Sequence, residues 1–278
     1  MTALETIVRR ARFGVRFWDP VTAGPADARF LVRLRPSTGG RVVTASPTRA
    51  GTYALHTLPE EDGPARRHRV EVSDPDGHYL PFSFEATLPF TGLFTLPCGG
   101  LGSPPSPPDL PGPPNVPVFA APTRPVPAGA AVVRAHLRST TGEPASWATL
   151  EVRPPGGPTA LGVADADGQV CVLFAYPEPP IPAPSPAGPG LVPLSGQTWR
   201  LDLLARYGRE PGSPAGPVAA PSASPDICDV LDQLPARLLA DESTTLSSAS
   251  LRYGRELTLT TAGRSVLLLA PHPGRLHA

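Results

Sequence analysis

The chain has 278 residues, with 24 acidic side chains and 24 basic ones, and every basic residue is arginine. The formal net charge is therefore zero at pH 7, which excludes a broad basic face for nucleic acid or anionic membranes as the main function. A chain of this length is expected to form one or two domains.

Proline is concentrated in three segments of the chain. The sequence contains 41 prolines and 27 glycines, and the prolines cluster at 104–128, 177–193 and 211–225. Hydrophobic residues still make up 40% of the whole. This distribution predicts two globular cores with a stiff proline-rich connection, rather than one disordered chain.

The first 90 residues alternate between apolar and polar positions with a period of two. Phe13, Val15 and Phe17 fall on one side of a predicted strand, and Trp18 falls on the other. Turn-rich clusters such as 36–40 and 74–77 separate the short strands that follow. The pattern predicts a β-sandwich, with helix expected only at 3–10 and 226–234.

An internal duplication is the strongest structural signal in the sequence. Segment 22–36 parallels 140–154 in its turn and in the phase of its strand. The same order continues with 50–55 matching 167–172, and with 67–72 matching 198–203. A repeat of this kind predicts two copies of one supersecondary unit, each with its own core.

The predicted fold class is therefore all-β, with two Ig-like or prealbumin-like sandwiches joined by a proline-rich linker. We expect the closing pair of the second sandwich to be a hairpin with its turn at Ala262-Gly263. The predicted organisation is an N-terminal sandwich at 1–97, a linker at 98–130, and a C-terminal sandwich at 131–278 with insertions at 177–193 and 211–225.

The motifs D-P-V-T-A-G-P-A-D, S-P-T-R-A-G-T-Y-A-L-H-T-L-P and A-D-A-D-G-Q-V-C-V-L-F carry a family resemblance. Over roughly 11–90 and 131–208 the chain resembles tandem carboxypeptidase-regulatory and transthyretin-like β-sandwich domains. The enzymes of that group, the hydroxyisourate hydrolases, end in Tyr-Arg-Gly-Ser, whereas this chain ends in Pro-Gly-Arg-Leu-His-Ala. The resemblance therefore implies the fold and not the hydrolase activity.

No catalytic constellation is found, and we expect neither an enzyme nor a bound cofactor. The D-x-D-G motif of Asp165 and Asp167 is the one candidate metal site, because it begins like a calcium loop. A turn in which Asp165 accepts backbone hydrogen bonds is the favoured alternative, since no closing carboxylate follows. The six histidines form none of the HxH or HExxH patterns of metal sites.

Three well-separated cysteines, Cys98, Cys171 and Cys228, predict free thiols and a reducing compartment. Residues 1–16 lack the apolar stretch of a secretory signal, and no apolar run is long enough to span a membrane. We therefore expect a cytoplasmic protein, or one built into a particle that is later released from the cell.

Aromatic side chains are the candidate contacts for a protein partner, because they dominate binding hot spots. Trp18 is expected to be the exposed anchor, and the other candidates are Trp147, Trp199, Tyr207 and Tyr253. The pentapeptide R-Y-G-R-E occurs at 206–210 and 252–256. Its arginine and tyrosine could form a recognition surface, but two strand ends with a turn glycine are the favoured interpretation.

These observations predict a non-catalytic structural or adaptor component of a multiprotein bacterial assembly, with other protein subunits as partners. The whole chain is also similar to bacterial proteins associated with phage-tail-like contractile injection systems, which makes such a particle the candidate assembly. The alternative is a small-molecule or carbohydrate-binding module that serves an enzyme. The proline-rich linker is expected to act as a spacer, with a polyproline-II ligand as its alternative role.

Overall fold

The computed structural model describes residues 11–56, 65–98, 116–178, 194–208 and 224–271. Within them nearly all regular structure is β-strand, arranged as two sandwich-type units, so the predicted fold class is confirmed. The predicted helix at 226–234 is confirmed as the short helix α1, whereas the one at 3–10 lies outside the described residues.

The first unit contains eight strands among the residues that the structure describes. They are β1 (Phe13–Asp19), β2 (Gly24–Pro25), β3 (Leu31–Pro36), β4 (Val43–Pro47), β5 (Thr52–Leu55), β6 (Arg66–Ser73), β7 (Phe82–Leu88) and β8 (Val116–Pro117). Hydrogen bonding joins them in the order β2-β1-β5-β4-β3-β6-β7, and β8 pairs in parallel with β1. Alternation places Phe13, Val15 and Phe17 in the core, as expected for strands with one buried face.

The described part of the second unit contains nine strands and the helix α1. They are β9 (Ala130–Ser139), β10 (Thr149–Arg153), β11 (Ala160–Val163), β12 (Gln169–Ala175), β13 (Thr198–Arg206), α1 (Ile227–Leu231), β14 (Pro235–Leu239), β15 (Ser248–Arg252), β16 (Leu257–Leu259) and β17 (Leu267–Pro271). The order is β11-β10-β13-β14-β17-β9-β12, with β15 beside β13 and β16 beside β9.

The hairpin predicted at the end of the second unit is wrong. β16 and β17 do not pair with each other across the turn at Ala262-Gly263; each pairs in parallel with β9, at successive positions along it. Thr261 lies between them, fully buried, and its hydroxyl donates to the Leu239 carbonyl at 2.7 Å while accepting from the Leu268 amide at 2.9 Å. At these two bonds the chain passes from the half of β9 that pairs with β16 to the half that pairs with β17.

Strand pairing supports the duplication. In the first unit, β1 pairs with β5, β3 forms a hairpin with β4, and β3 also pairs with β6. In the second unit, the equivalent pairs are β9 with β12, β10 with β11, and β10 with β13. All six pairs are antiparallel. Val32 pairs with Val72 in the first unit. Its equivalent in the second unit, Leu150, pairs with Ala205, which lies two residues beyond the equivalent of Val72. A shift of two keeps the same side chains on the buried face.

The core of the first unit includes side chains from the second, whereas the core of the second unit is formed by its own residues. The first core contains Trp147 and Val163 from the second unit, and Ile227, Val230 and Leu231 from α1. Within the predicted linker, Val116, Val118 and Phe119 are also buried in the first core. The domain boundaries predicted at 97 and 131 stay a prediction, but residues 116–119 act as core rather than as a spacer.

The prediction of three free thiols is wrong. Cys98, at the end of the first unit, forms a disulfide with Cys228 in α1, across a sequence separation of 130 residues. Cys171 is the free cysteine among the described residues and is buried. Sequence spacing could not reveal the pairing, because the fold alone brings the two cysteines together.

Candidate functional site

The densest group of buried ionisable side chains lies where β1 ends, beside the chain segment that leads into the second unit. Asp19 is the last residue of β1 and is 1% exposed. Its carboxylate accepts hydrogen bonds from the Tyr79 hydroxyl at 3.1 Å and from the Arg124 guanidinium at 3.2 Å. The Val21 amide at 3.0 Å and the Thr22 hydroxyl at 3.3 Å complete the set of donors.

Arg124 makes a fork-shaped pair with Asp19, since both terminal nitrogens of the guanidinium donate to the carboxylate. Its guanidinium carbon also lies 4.5 Å from the centre of the Tyr79 ring, in a cation–π contact. Burial opposes the charge of Arg124, but the hydrogen bond and charge of Asp19 prevail and raise the arginine pKa. Burial and the Asp19 charge raise the pKa of Tyr79, so its hydroxyl remains a donor.

We call residues 116–124 the bridge segment, because they run from β8 to Arg124 along the first unit and then enter the second. Backbone hydrogen bonds fix the bridge segment to the first unit: Val118 donates to the Trp18 carbonyl and Ala121 donates to the His78 carbonyl, both at 2.9 Å. On its other side Ala120 packs with Val132, Cys171 and Leu173 of the second unit. Burial raises the pKa of the Cys171 thiol.

We call residues 224–231 the clip, because this segment comes from the second unit and packs on the edge of the first. The Ser83 amide of β7 donates to the Pro225 carbonyl at 2.7 Å. The Arg69 guanidinium donates to the Ser224 carbonyl at 2.8 Å. Asp226 caps α1 by accepting from the Cys228 amide at 2.9 Å, as an N-cap residue should.

Between the hydrogen bonds of the bridge segment and those of the clip, the contact between the two units is apolar. We call this contact the junction. Trp147 and Val163 of the second unit, 3% exposed each, line a small cavity together with Leu80 and Phe82 of the first unit and Val230 of the clip. The side-chain amide of Gln233 donates to the Trp147 carbonyl at 2.7 Å. The bridge segment and the clip therefore hold the two units together from two sides.

The predicted metal residues form a turn. The Asp165 carboxylate accepts from the Asp167 amide at 2.9 Å and from the Gln169 amide at 2.8 Å, on the same oxygen. Gly168 completes the turn with a φ of +82°. No cluster of three or more potential metal ligands occurs among the residues described.

The predicted aromatic anchors are not brought to one surface. Trp147 is buried at the junction, and Trp199 is 4% exposed inside the second core, so neither presents a surface to a partner. Trp18 is half-buried rather than exposed, although it does lie on the face opposite Phe17. Its indole nitrogen is buried and has no hydrogen-bond partner among the described residues.

Tyr253 and Tyr207 are half-buried at equivalent strand ends. Gly208 and Gly254 follow them with φ values of +85° and +69°, which agrees with the favoured turn interpretation of the pentapeptide; positions 209 and 210 lie outside the described residues. Tyr253 stacks near Tyr176 with ring centres 4.7 Å apart, and Trp199 lies 5.6 Å from Tyr176. The rings of Trp199 and Tyr253 lie 6.3 Å apart, and Tyr207 packs against the same hydrophobic core.

Sequence reasoning missed Asp19, Tyr79 and Arg124. Each lies in a turn-rich stretch, where a polar side chain is ordinarily exposed. Tyr79 is 60 positions from Asp19 in the sequence, and Arg124 is 105 positions from it. The available signal was Arg124, the single arginine between positions 70 and 133. Only two charged residues, Asp109 and Arg124, fall within 104–128, and a charge in so apolar a stretch is unusual enough to predict a buried partner.

No protein-family model matches the sequence, and no curated protein matches it significantly. Among solved structures, the TIE protein of Bacillus anthracis aligns over 93% of this chain and 34% of its own length, with 8% identity and a TM-score of 0.24. The chain thus spans about a third of that protein.

Two further solved structures are a streptococcal ancillary pilin and a C-terminal fragment of the pilus adhesin SpaC from Lactobacillus rhamnosus GG. The pilin matches over 94% of this chain and 62% of its own length, with 11% identity and a TM-score of 0.22. The adhesin fragment matches over 94% and 98%, with 11% identity and a TM-score of 0.21. TM-scores of this size establish neither a shared family nor a shared function.

No helix in the described part of the chain has the length and apolar character needed to cross a bilayer.

Proposed function

We propose that this protein is a non-catalytic structural or adaptor component of a multiprotein bacterial assembly. The observation that supports the proposal is the closed network of Asp19, Tyr79 and Arg124. It uses three buried ionisable groups of the described chain to hold the two sandwiches together. Buried charges that are paired and fully hydrogen-bonded favour one fixed arrangement of the parts they join.

The geometry of Asp19 is unsuited to acid–base chemistry. Donors from Val21, Thr22, Tyr79 and Arg124 surround both carboxylate oxygens. A general base needs a free lone pair within reach of a substrate proton. This carboxylate offers none, and its role is therefore to fasten the bridge segment.

Other aspartates of the described chain shape turns in the same way. Asp74 accepts from the amides of Asp76, His78 and Tyr79. Asp241 accepts from the Ser243 amide at 2.8 Å and from the Thr244 amide at 2.7 Å. Such carboxylates stabilise loops, which suits a scaffold built from short strands.

The assembly we propose is a particle of the phage-tail-like contractile injection type, on the strength of the sequence resemblance. Subunits of such a particle would be assembled in the cytoplasm and released with it. The Cys98–Cys228 disulfide would then form after release, since cytoplasmic thiols are kept reduced.

The test is capture of the partner followed by reconstitution from pure components. Cross-linking in the source bacterium and mass spectrometry would identify neighbouring subunits, and each would then be purified and titrated against the full chain. We expect at least one subunit to rebind the isolated chain. A monomer that binds no subunit but binds a defined sugar or metabolite on a ligand array would contradict the proposal and favour the binding-module alternative.

A further inference from the structure

The first sandwich is completed by a segment that belongs to the second half of the chain. Ser83, in the edge strand β7, is fully buried, and its side-chain hydroxyl lies 3.1 Å from the Pro225 carbonyl and 3.2 Å from the Ser224 carbonyl. Its backbone forms a parallel bridge with Asp226. The clip therefore pairs with the β7 edge through a single bridge, at a place where the backbone groups of that edge would otherwise be unpaired.

The helix of the clip also supplies part of the first core. Ile227, Val230 and Leu231 are 1%, 3% and 8% exposed, and they pack in the same cluster as Phe82. Removing the clip would uncover both this apolar wall and the β7 edge at Ser83. Apolar surface beside an open strand edge is the usual acceptor for an added strand.

The disulfide is the covalent attachment of the clip to the first unit. Cys98 belongs to the first unit and Cys228 is the second residue of α1. With the bond intact, the clip cannot leave the β7 edge. Without it, the clip is held to the first unit by the hydrogen bonds to Ser83 and Arg69 and by its three apolar side chains.

We propose that residues 224–231 are a redox-controlled clip, closed by the Cys98–Cys228 disulfide and able to open when that bond is reduced. A dithiol reductant would transfer two electrons and two protons: the S–S bond breaks, two cysteine thiols form, and the reductant becomes a disulfide. Opening frees the Ser83 amide and the face of Phe82 while the bridge segment still joins the two units. This proposal stands whether or not the chain is part of an injection particle.

Hydrogen exchange on the full wild-type chain tests the proposal. Samples with and without a dithiol reductant are compared at the Ser83 amide, which is bonded to the clip, and at the Leu137 amide, which donates to Gly168 within the second unit. We expect reduction to speed exchange at Ser83 by at least about tenfold, because a long-range disulfide restrains local opening. Exchange at Leu137 should not change.

Two cysteine variants separate the bond from the reagent. Cys228→Ser removes the disulfide without a reductant and should reproduce the fast exchange at Ser83. Cys171→Ser changes the buried free thiol instead and should retain the response to the reductant. Unchanged exchange at Ser83 in both the reduced wild type and Cys228→Ser would overturn the proposal, as would equal acceleration at Leu137, which would signify general loosening.

Discussion

At the scale of single residues, the junction depends on pairing one buried carboxylate with one buried guanidinium. Asp19 is 1% exposed and the Arg124 side chain 8% exposed. Removing either partner leaves the other charge buried and unpaired. This destabilises the folded state far more than replacing the whole pair with well-packed apolar side chains would.

Replacing Arg124 with Met should therefore destabilise the chain by about 3–5 kcal/mol, the range for breaking a buried ion pair. Urea unfolding with an unchanged m-value measures the loss. Combining Arg124→Met with Asp19→Asn should cost less than the sum of the two single changes, because the stranded charge is removed.

The matched control is Arg264→Gln. Arg264 also faces a carboxylate, Glu242, at 3.7 Å, but the two side chains are 49% and 89% exposed. Surface pairs contribute about 0–1 kcal/mol. Equal losses for Arg124→Met and Arg264→Gln would show that the buried network does not hold the junction.

The hydrogen bonds of Asp241 lead to a prediction about stability at acid pH. Hydrogen bonds from the backbone amides of Ser243 and Thr244 lower its pKa to about 2, from an ordinary value of 3.8. The folded pKa is the lower one, so its contribution to stability is present above pH 3.8 and is lost as the pH falls through 2. A carboxyl-carbon NMR titration should give a midpoint near 2, and a midpoint at the ordinary value would contradict the turn geometry.

At the scale of elements, the duplicated hairpins carry equivalent glycines in different surroundings. Gly51 has a φ of +71° with open space where a Cβ would stand. Gly168 has a φ of +82°, and a Cβ there would lie 2.3 Å from the Leu137 carbonyl oxygen and 3.2 Å from the Ala145 nitrogen. Both positions favour glycine for its backbone, but only Gly168 also lacks room for a side chain.

Gly51→Ala should cost about 1–2 kcal/mol, the strain of a left-handed conformation. Gly168→Ala should cost about 1–3 kcal/mol more, because a backbone clash adds to that strain. Chemical unfolding of the two variants gives the comparison directly. Equal effects would mean that the two hairpins are not packed as described.

Sequence periodicity was sufficient to predict the strands and the repeated order of turns, but not every strand pairing inside the second unit. The apolar alternation of Phe13, Val15 and Phe17 is set by local pleating, and the glycines of the repeat are set by local turn geometry. The same reasoning failed where contacts are long-range. The partners Asp19 and Arg124, and the cysteines Cys98 and Cys228, meet only because the units fold against each other.

The parallel pairing of β16 and β17 shows the same limit. Two apolar stretches around Ala262-Gly263 have the local pattern of a hairpin. The buried hydroxyl of Thr261 instead satisfies backbone groups of Leu239 and Leu268, and β9 offers both strands a longer partner. Tertiary pairing therefore overrode the local signal.

At the scale of the whole molecule, two chain segments cross between the units. The bridge segment leaves the first unit with Arg124 bonded to Asp19, and the clip returns to it with Cys228 bonded to Cys98. Closing a loop of 130 residues with a disulfide stabilises a chain by about 5 kcal/mol in the loop-entropy account. We therefore expect the two sandwiches to unfold as one unit rather than as independent domains.

Cleaving the chain between Cys98 and Val116 is the most direct test of this claim. A site for a sequence-specific protease is inserted after position 106, the folded protein is cut, and the product is analysed by size-exclusion chromatography with light scattering in the presence of a reductant. We predict that residues 1–106 and 107–278 elute together as a one-to-one complex. This is because Val116, Val118 and Phe119 of the second fragment lie in the first core and do not belong to the clip. Two separate, folded fragments would contradict the account.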